Sequence, residues 1–225
     1  MTVPYVLFVA TNAPVIGPHN RATGFFFPEI AHPFRTLDRA GIAVEFASPL
    51  GGTPPEDGFD GTDSEQTDFL DSKAYRRLSR SRKLSEVDVL DYDAVFFPGG
   101  LGPMVDITGN PEVQGVVVAA WNAGLIVSAV CHGPSAFLGV TLDDGNPFVK
   151  GRRLTSFSTA EEAGYADEDV PFDLETALRE EGALYESTDP WQPKAVVDGR
   201  LITGQNPQSG GLVGEALVEA LKAIA

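Results

Sequence analysis

The residues best suited to chemistry lie in Val127-Ser128-Ala129-Val130-Cys131-His132-Gly133-Pro134-Ser135. Leu125 to Val130 is a short apolar run rich in β-branched residues, preceded by Asn122-Ala123-Gly124, and reads as a buried strand. Gly133, Pro134, Ser135 and Ala136 follow, and Phe137-Leu138 suits the first turn of a helix. A strand turning sharply into a helix exposes and strains the residue at the turn. That residue is Cys131, the one cysteine in the chain. A thiol at a helix N-terminus sits in the positive end of the dipole, which lowers its pKa and raises its thiolate fraction. Cys131 is therefore expected to be a nucleophile, with His132 beside it. The bland alternative is a small thiol closing a core strand.

A second stretch has comparable potential. Ala94-Val95-Phe96-Phe97 reads as a strand that runs straight into Pro98-Gly99-Gly100-Leu101-Gly102-Pro103. Its glycines let the backbone turn sharply and expose N–H groups. Ligands bind beyond the carboxyl ends of parallel strands, so an oxyanion or ligand role is expected, with a simple tight turn as the alternative. The three histidines, His19, His32 and His132, are too dispersed for metal-ligand spacing, and no metal site is expected. His32 is a better pocket candidate than His19, with surface placement open for both. Trp191 reads as a core or interface aromatic before a substrate platform.

These residues need a frame. Tyr5 to Ala10 is a first strand, and the Pro- and Gly-bearing segment to Gly24 runs over the strand ends. Pro28 opens a helix with Ile30, Phe34 and Leu37 on its apolar face, and Gly41 stops it before a second strand, Ile42 to Ala47. Pro49 to Thr67 reads as a long surface loop or lid and Phe69 to Lys83 as one helix, whose Arg76-Arg77, Arg80 and Arg82-Lys83 form a solvated basic face. Pro111 to Ala123 is a helix, Lys150-Gly151 a hairpin turn, and Phe172 to Glu181 an amphipathic helix. Ala195-Val196-Val197 and Arg200 to Thr203 flank Asp198-Gly199, a strong hairpin signal. The last helix follows Asn206-Pro207, with Leu212, Val213, Leu217, Leu221 and Ile224 expected to be buried. Strands alternating with helices suggest a βαβ unit and an α/β class, and a single domain over residues 1–225 suffices.

The formal charge is −16, from 32 acidic against 16 basic residues. That argues against nucleic acid or an anionic membrane as partner. A lone cysteine makes no internal disulfide, Met1-Thr2-Val3-Pro4 lacks a basic region, and no apolar run reaches a membrane-spanning length. The expectation is a soluble, cytoplasmic protein.

Several motifs together carry a family resemblance: Thr23-Gly24 followed by Glu29; Val44-Glu45-Phe46-Ala47-Ser48-Pro49-Leu50-Gly51-Gly52; Phe97-Pro98-Gly99-Gly100; Ala129-Val130-Cys131-His132-Gly133-Pro134; Asp189-Pro190-Trp191; and the run from Asp198 to Pro207. The chain resembles the superfamily that contains DJ-1, the PfpI proteases and the Hsp31 chaperone/glyoxalases, with the Hsp31-like branch the nearest match. The resemblance implies a class I glutamine amidotransferase-like fold: a flavodoxin-like three-layer sandwich with a mostly parallel sheet and helices on both faces. It also implies no metal or organic cofactor, and a homodimer. By position, Cys131 resembles the family nucleophile, His132 its neighbour, and Glu29 the glutamate that meets the thiol across the elbow. The N–H groups of Gly100 and His132 resemble the oxyanion hole, with Gly99 in the same substrate-binding turn. The acidic residue that orients the histidine falls on Glu162, with Glu161 second. Hsp31-like glyoxalases commonly read Gly-Gly-His-Gly at the turn, where this chain has Leu101.

The resemblance implies a cofactor-independent glyoxalase, a lyase of the D-lactate dehydratase type. Cys131 would add to a 2-oxoaldehyde such as methylglyoxal, Glu29 would move a proton from C1 to C2, and a 2-hydroxy acid would leave without nicotinamide or glutathione. Two alternatives from other classes stand beside it. One is a holdase chaperone or stress protein, with Cys131 as a redox sensor. The other is amide or peptide hydrolysis by Cys131 and His132.

Overall fold

The computed structural model describes residues 3–224. Its central sheet has seven strands: β1 (Tyr5–Val9), β2 (Ala43–Ser48), β3 (Arg82–Lys83), β4 (Ala94–Phe97), β5 (Ile126–Val130), β6 (Ala195–Asp198) and β7 (Leu201–Gly204). Their order is β6-β7-β5-β4-β1-β2-β3, and every pairing is parallel except that of β6 with β7. The helices in chain order are α1 (Pro28–Arg39), α2 (Ser64–Leu70), α3 (Lys73–Leu78), α4 (Pro103–Asp106), α5 (Pro111–Asn122), α6 (Thr159–Glu162), α7 (Leu174–Glu180) and α8 (Gly210–Ile224).

Parallel strands covered on both faces read as continuous apolar runs, and successive side chains go to opposite faces. In β1, Val6 and Phe8 join a cluster with Ile30 and Leu37 of α1 and Val213 and Leu217 of α8. Leu7 and Val9 join the other cluster, with Val113, Val117 and Ala120 of α5. The fold is thus the expected flavodoxin-like α/β sandwich. Because β1, β4, β5 and β7 are parallel, their carboxyl ends lie on one edge of the sheet. The Cys131 elbow and the Gly99-Gly100 turn come off that edge side by side.

Several local expectations differ from the structure. Phe69 to Lys83 is not one helix. The Ser72 side chain accepts from the N–H groups of Ala74 and Tyr75 and starts a new helix there, and Arg82-Lys83 pairs with Ala47 and Ser48 as an edge strand. The basic cluster is therefore split between a helix and a strand. Residues 49–67 are not a free loop: Glu56–Asp57 pairs parallel with Phe25–Phe26, and α2 begins at Ser64. Lys150-Gly151 turns the chain without making a hairpin, since Arg153–Leu154 pairs parallel with Leu184–Tyr185. In α8 the buried stripe is Val213, Leu217 and Leu221, four residues apart, while Leu212 and Ile224 face out at 40% and 58% exposure. The sequence reading also passed over Pro33 inside α1, which has no N–H to give the carbonyl of Glu29 four residues back.

Candidate active site

β5 ends at Val130, and Cys131 breaks its direction with φ +59°. That conformation costs a residue bearing a Cβ about 1–2 kcal/mol. Two main-chain hydrogen bonds pin it: the Cys131 N–H donates to Gly204 O (2.9 Å), and the Phe157 N–H donates to Cys131 O (2.8 Å). The chain then enters a 3-10 turn, Gly133–Phe137, instead of the expected α-helix. So short a turn has little dipole, and the thiol is buried. Burial, followed by the charge of Glu29, pushes the Cys131 pKa well up, against the opposing pull of the Gly100 and His132 amides. The direction is opposite to the lowering expected from a helix dipole: burial and Glu29 favour the neutral thiol.

Glu29 reaches the thiol from the first turn of α1 and is fully buried. Its Oε2 accepts from the Gly99 N–H at 2.8 Å, while Oε1 is buried without a hydrogen-bond partner. Burial drives its pKa up to about 8, offset in part by the Cys131 thiol and the Gly99 and Gly100 amides. Below that pH the carboxyl holds a proton. The approach is close enough to require glycine at position 99. A Cβ there would lie 2.5 Å from Glu29 Oε2, 2.7 Å from Cys131 Cβ and 2.8 Å from His132 N. Gly100 has φ +90°, and a Cβ on it would fall 2.3 Å from Gly24 O. The Gly99-Gly100 turn is held against residues 24–26 by the Phe26 N–H, which donates to Gly99 O at 3.1 Å.

His132 also meets the thiol. Its Nδ1 lies 3.3 Å from Cys131 Sγ, and its Nε2 lies 2.7 Å from Glu162 Oε2, with imidazole and carboxylate both buried. Glu162 arrives through α6, a single turn capped by Ser158. Adjacent helical residues point in different directions, and Glu161 turns away to Ser158, Gln205, Asn206 and the Trp191 N–H. The structure therefore puts Glu162 on the histidine and Glu161 elsewhere. The structure brings Cys131, His132, Glu29, Gly99 and Gly100 together, with Glu162 behind the histidine: a carboxyl against the thiol and a Cys–His–Glu line.

Leu101 joins the apolar cluster that holds Ile16, Met104 and Ile107. His19 is exposed, and His32 pairs with Asp63 (2.7 Å) on the outer face of α1; neither joins the site. Sequence reasoning missed Phe157, whose ring packs on His132 at 4.6 Å between centroids. It also missed Tyr165, which no local motif marks.

The DJ-1/PfpI family model matches residues 22–220. The chain belongs to the DJ-1/PfpI family. Within it, the chain is 31% identical over 217 residues to Glyoxalase 3 of Candida albicans, covering 90% of this chain and 91% of that protein. It is also 31% identical over 215 residues to the glutathione-independent glyoxalase HSP31 of Saccharomyces cerevisiae, covering 89% and 90%. The crystal structure of glyoxalase III from Candida albicans superposes with a TM-score of 0.84 at 28% identity, covering 96% of this chain and 97% of that one. The Hsp31-like resemblance read from the sequence agrees with these matches.

Proposed function

We propose that this protein is a glutathione-independent glyoxalase that converts 2-oxoaldehydes to 2-hydroxy acids through a hemithioacetal on Cys131. The observation that carries the reading is the buried Glu29 carboxyl set against Cys131, whose sulfur also meets the His132–Glu162 pair, in a chain so similar to glyoxalases. The other two readings find less support: a site with Cys131, His132 and Glu29 all buried suits a small molecule better than a protein chain.

The steps follow from the groups present. As Cys131 Sγ bonds to the aldehyde carbon, its proton passes to His132 Nδ1, and the Glu162 carboxylate stabilises the imidazolium. The Gly100 and His132 amides receive the developing oxyanion, which then takes up a proton to give the hemithioacetal hydroxyl. Ionised Glu29 removes the proton from C1 while the C2 oxygen takes up a proton, giving an enediol. Glu29 then returns its proton to C2 while the C1 hydroxyl gives one up, so a hydroxyl proton passes from the C1 oxygen to the C2 oxygen. The two carbons thereby exchange oxidation levels: C1 becomes a thioester and C2 a secondary alcohol. Water cleaves the thioester, releasing the 2-hydroxy acid and the thiol, so no external oxidant or reductant enters. Lyase classification follows from this sequence of steps.

We assign the enzyme to the cytoplasm as a homodimer and to one domain over residues 1–225. The family resemblance supports the homodimer and the single domain, and the lone thiol supports a reducing compartment. Light scattering on the purified protein reads the assembly.

The test of the activity is methylglyoxal turnover without glutathione, following substrate loss and lactate formation. Wild type forms lactate, and Cys131→Ala and Glu29→Gln do not. Activity retained in Glu29→Gln would move the proton transfer to His132, and no lactate from any form would overturn the methylglyoxal reading.

A further inference from the structure

An aromatic cluster stands over the imidazole. Phe157, buried against His132, meets both Tyr165 and Trp191 at 5.5 Å between centroids. Tyr165 and Trp191 meet each other at 5.7 Å with planes at 79°. The three rings form a nearly equilateral triangle of tilted and edge-to-face contacts, the arrangement that aromatic quadrupoles favour. Phe157 is 2% exposed, whereas Tyr165 and Trp191 are 37% and 42% exposed. Phe157 thus links the buried imidazole to two partly exposed rings. Burial, the largest cause, raises the pKa of the Tyr165 hydroxyl to about 12, so the ring presented here is neutral.

Trp191 is held there against its own preference. Its φ is +63°, a conformation rarely adopted by bulky residues and kept only where the surroundings impose it. The imposing group is Glu161, whose Oε1 accepts from the Trp191 N–H and from Asn206 Nδ2, both at 2.8 Å. Its Oε2 accepts from the Ser158 N–H (3.0 Å), the Ser158 hydroxyl (2.7 Å) and Gln205 Nε2 (3.0 Å). A carboxylate only 2% exposed is tolerable because these five donors surround it. None of the five belongs to the reacting groups. Glu161 joins α6, the end of β7 and the Trp191 turn, and the position of the indole is what that junction fixes.

Resting on the glyoxalase reading, we propose that Trp191 and Tyr165 form a specificity wall that favours 2-oxoaldehydes carrying an aryl group over those carrying methyl or hydrogen, with Glu161 as the positioning residue that holds Trp191. The aldehyde end of the substrate must reach the buried Cys131, so the proposal places the substituent on C2 toward the surface, on the side where Phe157 carries Tyr165 and Trp191. An aryl ring there meets the half-exposed faces of Tyr165 and Trp191 and buries apolar surface that a methyl group does not have.

The experiment compares initial-rate kcat/KM for phenylglyoxal, methylglyoxal and glyoxal in wild type, Trp191→Ala, Trp191→Phe and Glu161→Gln. Wild type prefers phenylglyoxal. In Trp191→Ala the phenylglyoxal-to-methylglyoxal ratio falls by about tenfold, mainly through KM, and Trp191→Phe keeps most of it. Glu161→Gln shifts the ratio in the same direction. In a Trp121→Phe background, where Trp191 is the remaining indole, Glu161→Gln also moves its emission to the red and increases quenching by acrylamide. Should Glu161→Gln not fold, the two Trp191 variants decide alone, since they alter a half-exposed side chain. A wild type that turns over methylglyoxal without aryl preference, or a Trp191→Ala protein that loses all three substrates equally, overturns the wall and leaves the glyoxalase reading standing. A wild type inactive on all three overturns both.

Discussion

Glu29 is the residue whose ionisation is most displaced in a way the mechanism can use, and two measurements follow from it. With its pKa near 8, ionised Glu29 is a minority species at neutral pH. As the base that takes the C1 proton, it makes kcat/KM climb through the neutral range, reach half its limit at about pH 8 and level off roughly a unit above; a flat profile from pH 6 to about 9 would assign the base elsewhere. Stability moves the other way. Between its ordinary pKa of 4.5 and about 8 the folded chain keeps a proton that the unfolded chain has released, so stability falls as pH rises through that window. Glu29→Gln has no such titration. Its stability relative to wild type, read by urea denaturation, increases from pH 5 to pH 8 by on the order of several kcal/mol. Glu162→Gln removes the charge that stabilises the His132 imidazolium. It should lower kcat by about a hundredfold or more with the fold intact by circular dichroism. The positions of Cys131 and Glu29 were legible because each lies in a motif, whereas Glu162 came from the family resemblance with Glu161 still open, and only the fold sets Glu162 on His132. The state of the thiol was not legible: it depends on burial and on Glu29, which come from distant segments.

At the scale of elements, α1 carries Glu29 and is located by its contact with α8. Gly214 of α8 makes that contact possible: a Cβ there would lie 2.9 Å from Thr36 Cβ and 3.1 Å from Pro33 Cα, both in α1. Gly214→Ala therefore forces the helices apart. Overpacking costs about 1–3 kcal/mol, which exceeds the gain of about 1 kcal/mol in helix propensity. The expected outcome is a lower urea midpoint together with a lower kcat, because Glu29 moves with its helix. Gly211→Ala is the control. Nothing lies within 4 Å of its added methyl, and propensity alone predicts a gain of up to about 1 kcal/mol. The strands and long helices were readable from apolar patterning and turn residues, as in the Asp198-Gly199 hairpin. What sequence could not show were the pairings between distant segments: Arg82-Lys83 on the edge beside β2, or Glu56–Asp57 beside Phe25–Phe26. Local pattern specifies a conformation, and tertiary partners decide whether two residues become a strand.

For the molecule as a whole, the −16 charge sets one more expectation. Like charges spread over a small surface repel one another in the folded state, and salt screens them: the Debye length shrinks from about 30 Å at 0.01 M to about 8 Å at 0.15 M. Raising the ionic strength across that range should therefore raise the melting temperature. The site should respond differently. Its working parts are buried, with the His132–Glu162 pair almost without exposure, and buried pairs are screened far less than surface charges. A 2-oxoaldehyde such as methylglyoxal is neutral, so the acidic surface neither attracts nor repels it on approach. The expected result is a kcat/KM that changes by less than about twofold while the melting temperature climbs. A steep fall in kcat/KM with salt would mean that the surface field helps to bring the substrate in. That behaviour belongs to a cationic substrate, and it would redirect the search from simple oxoaldehydes to amine-bearing ones.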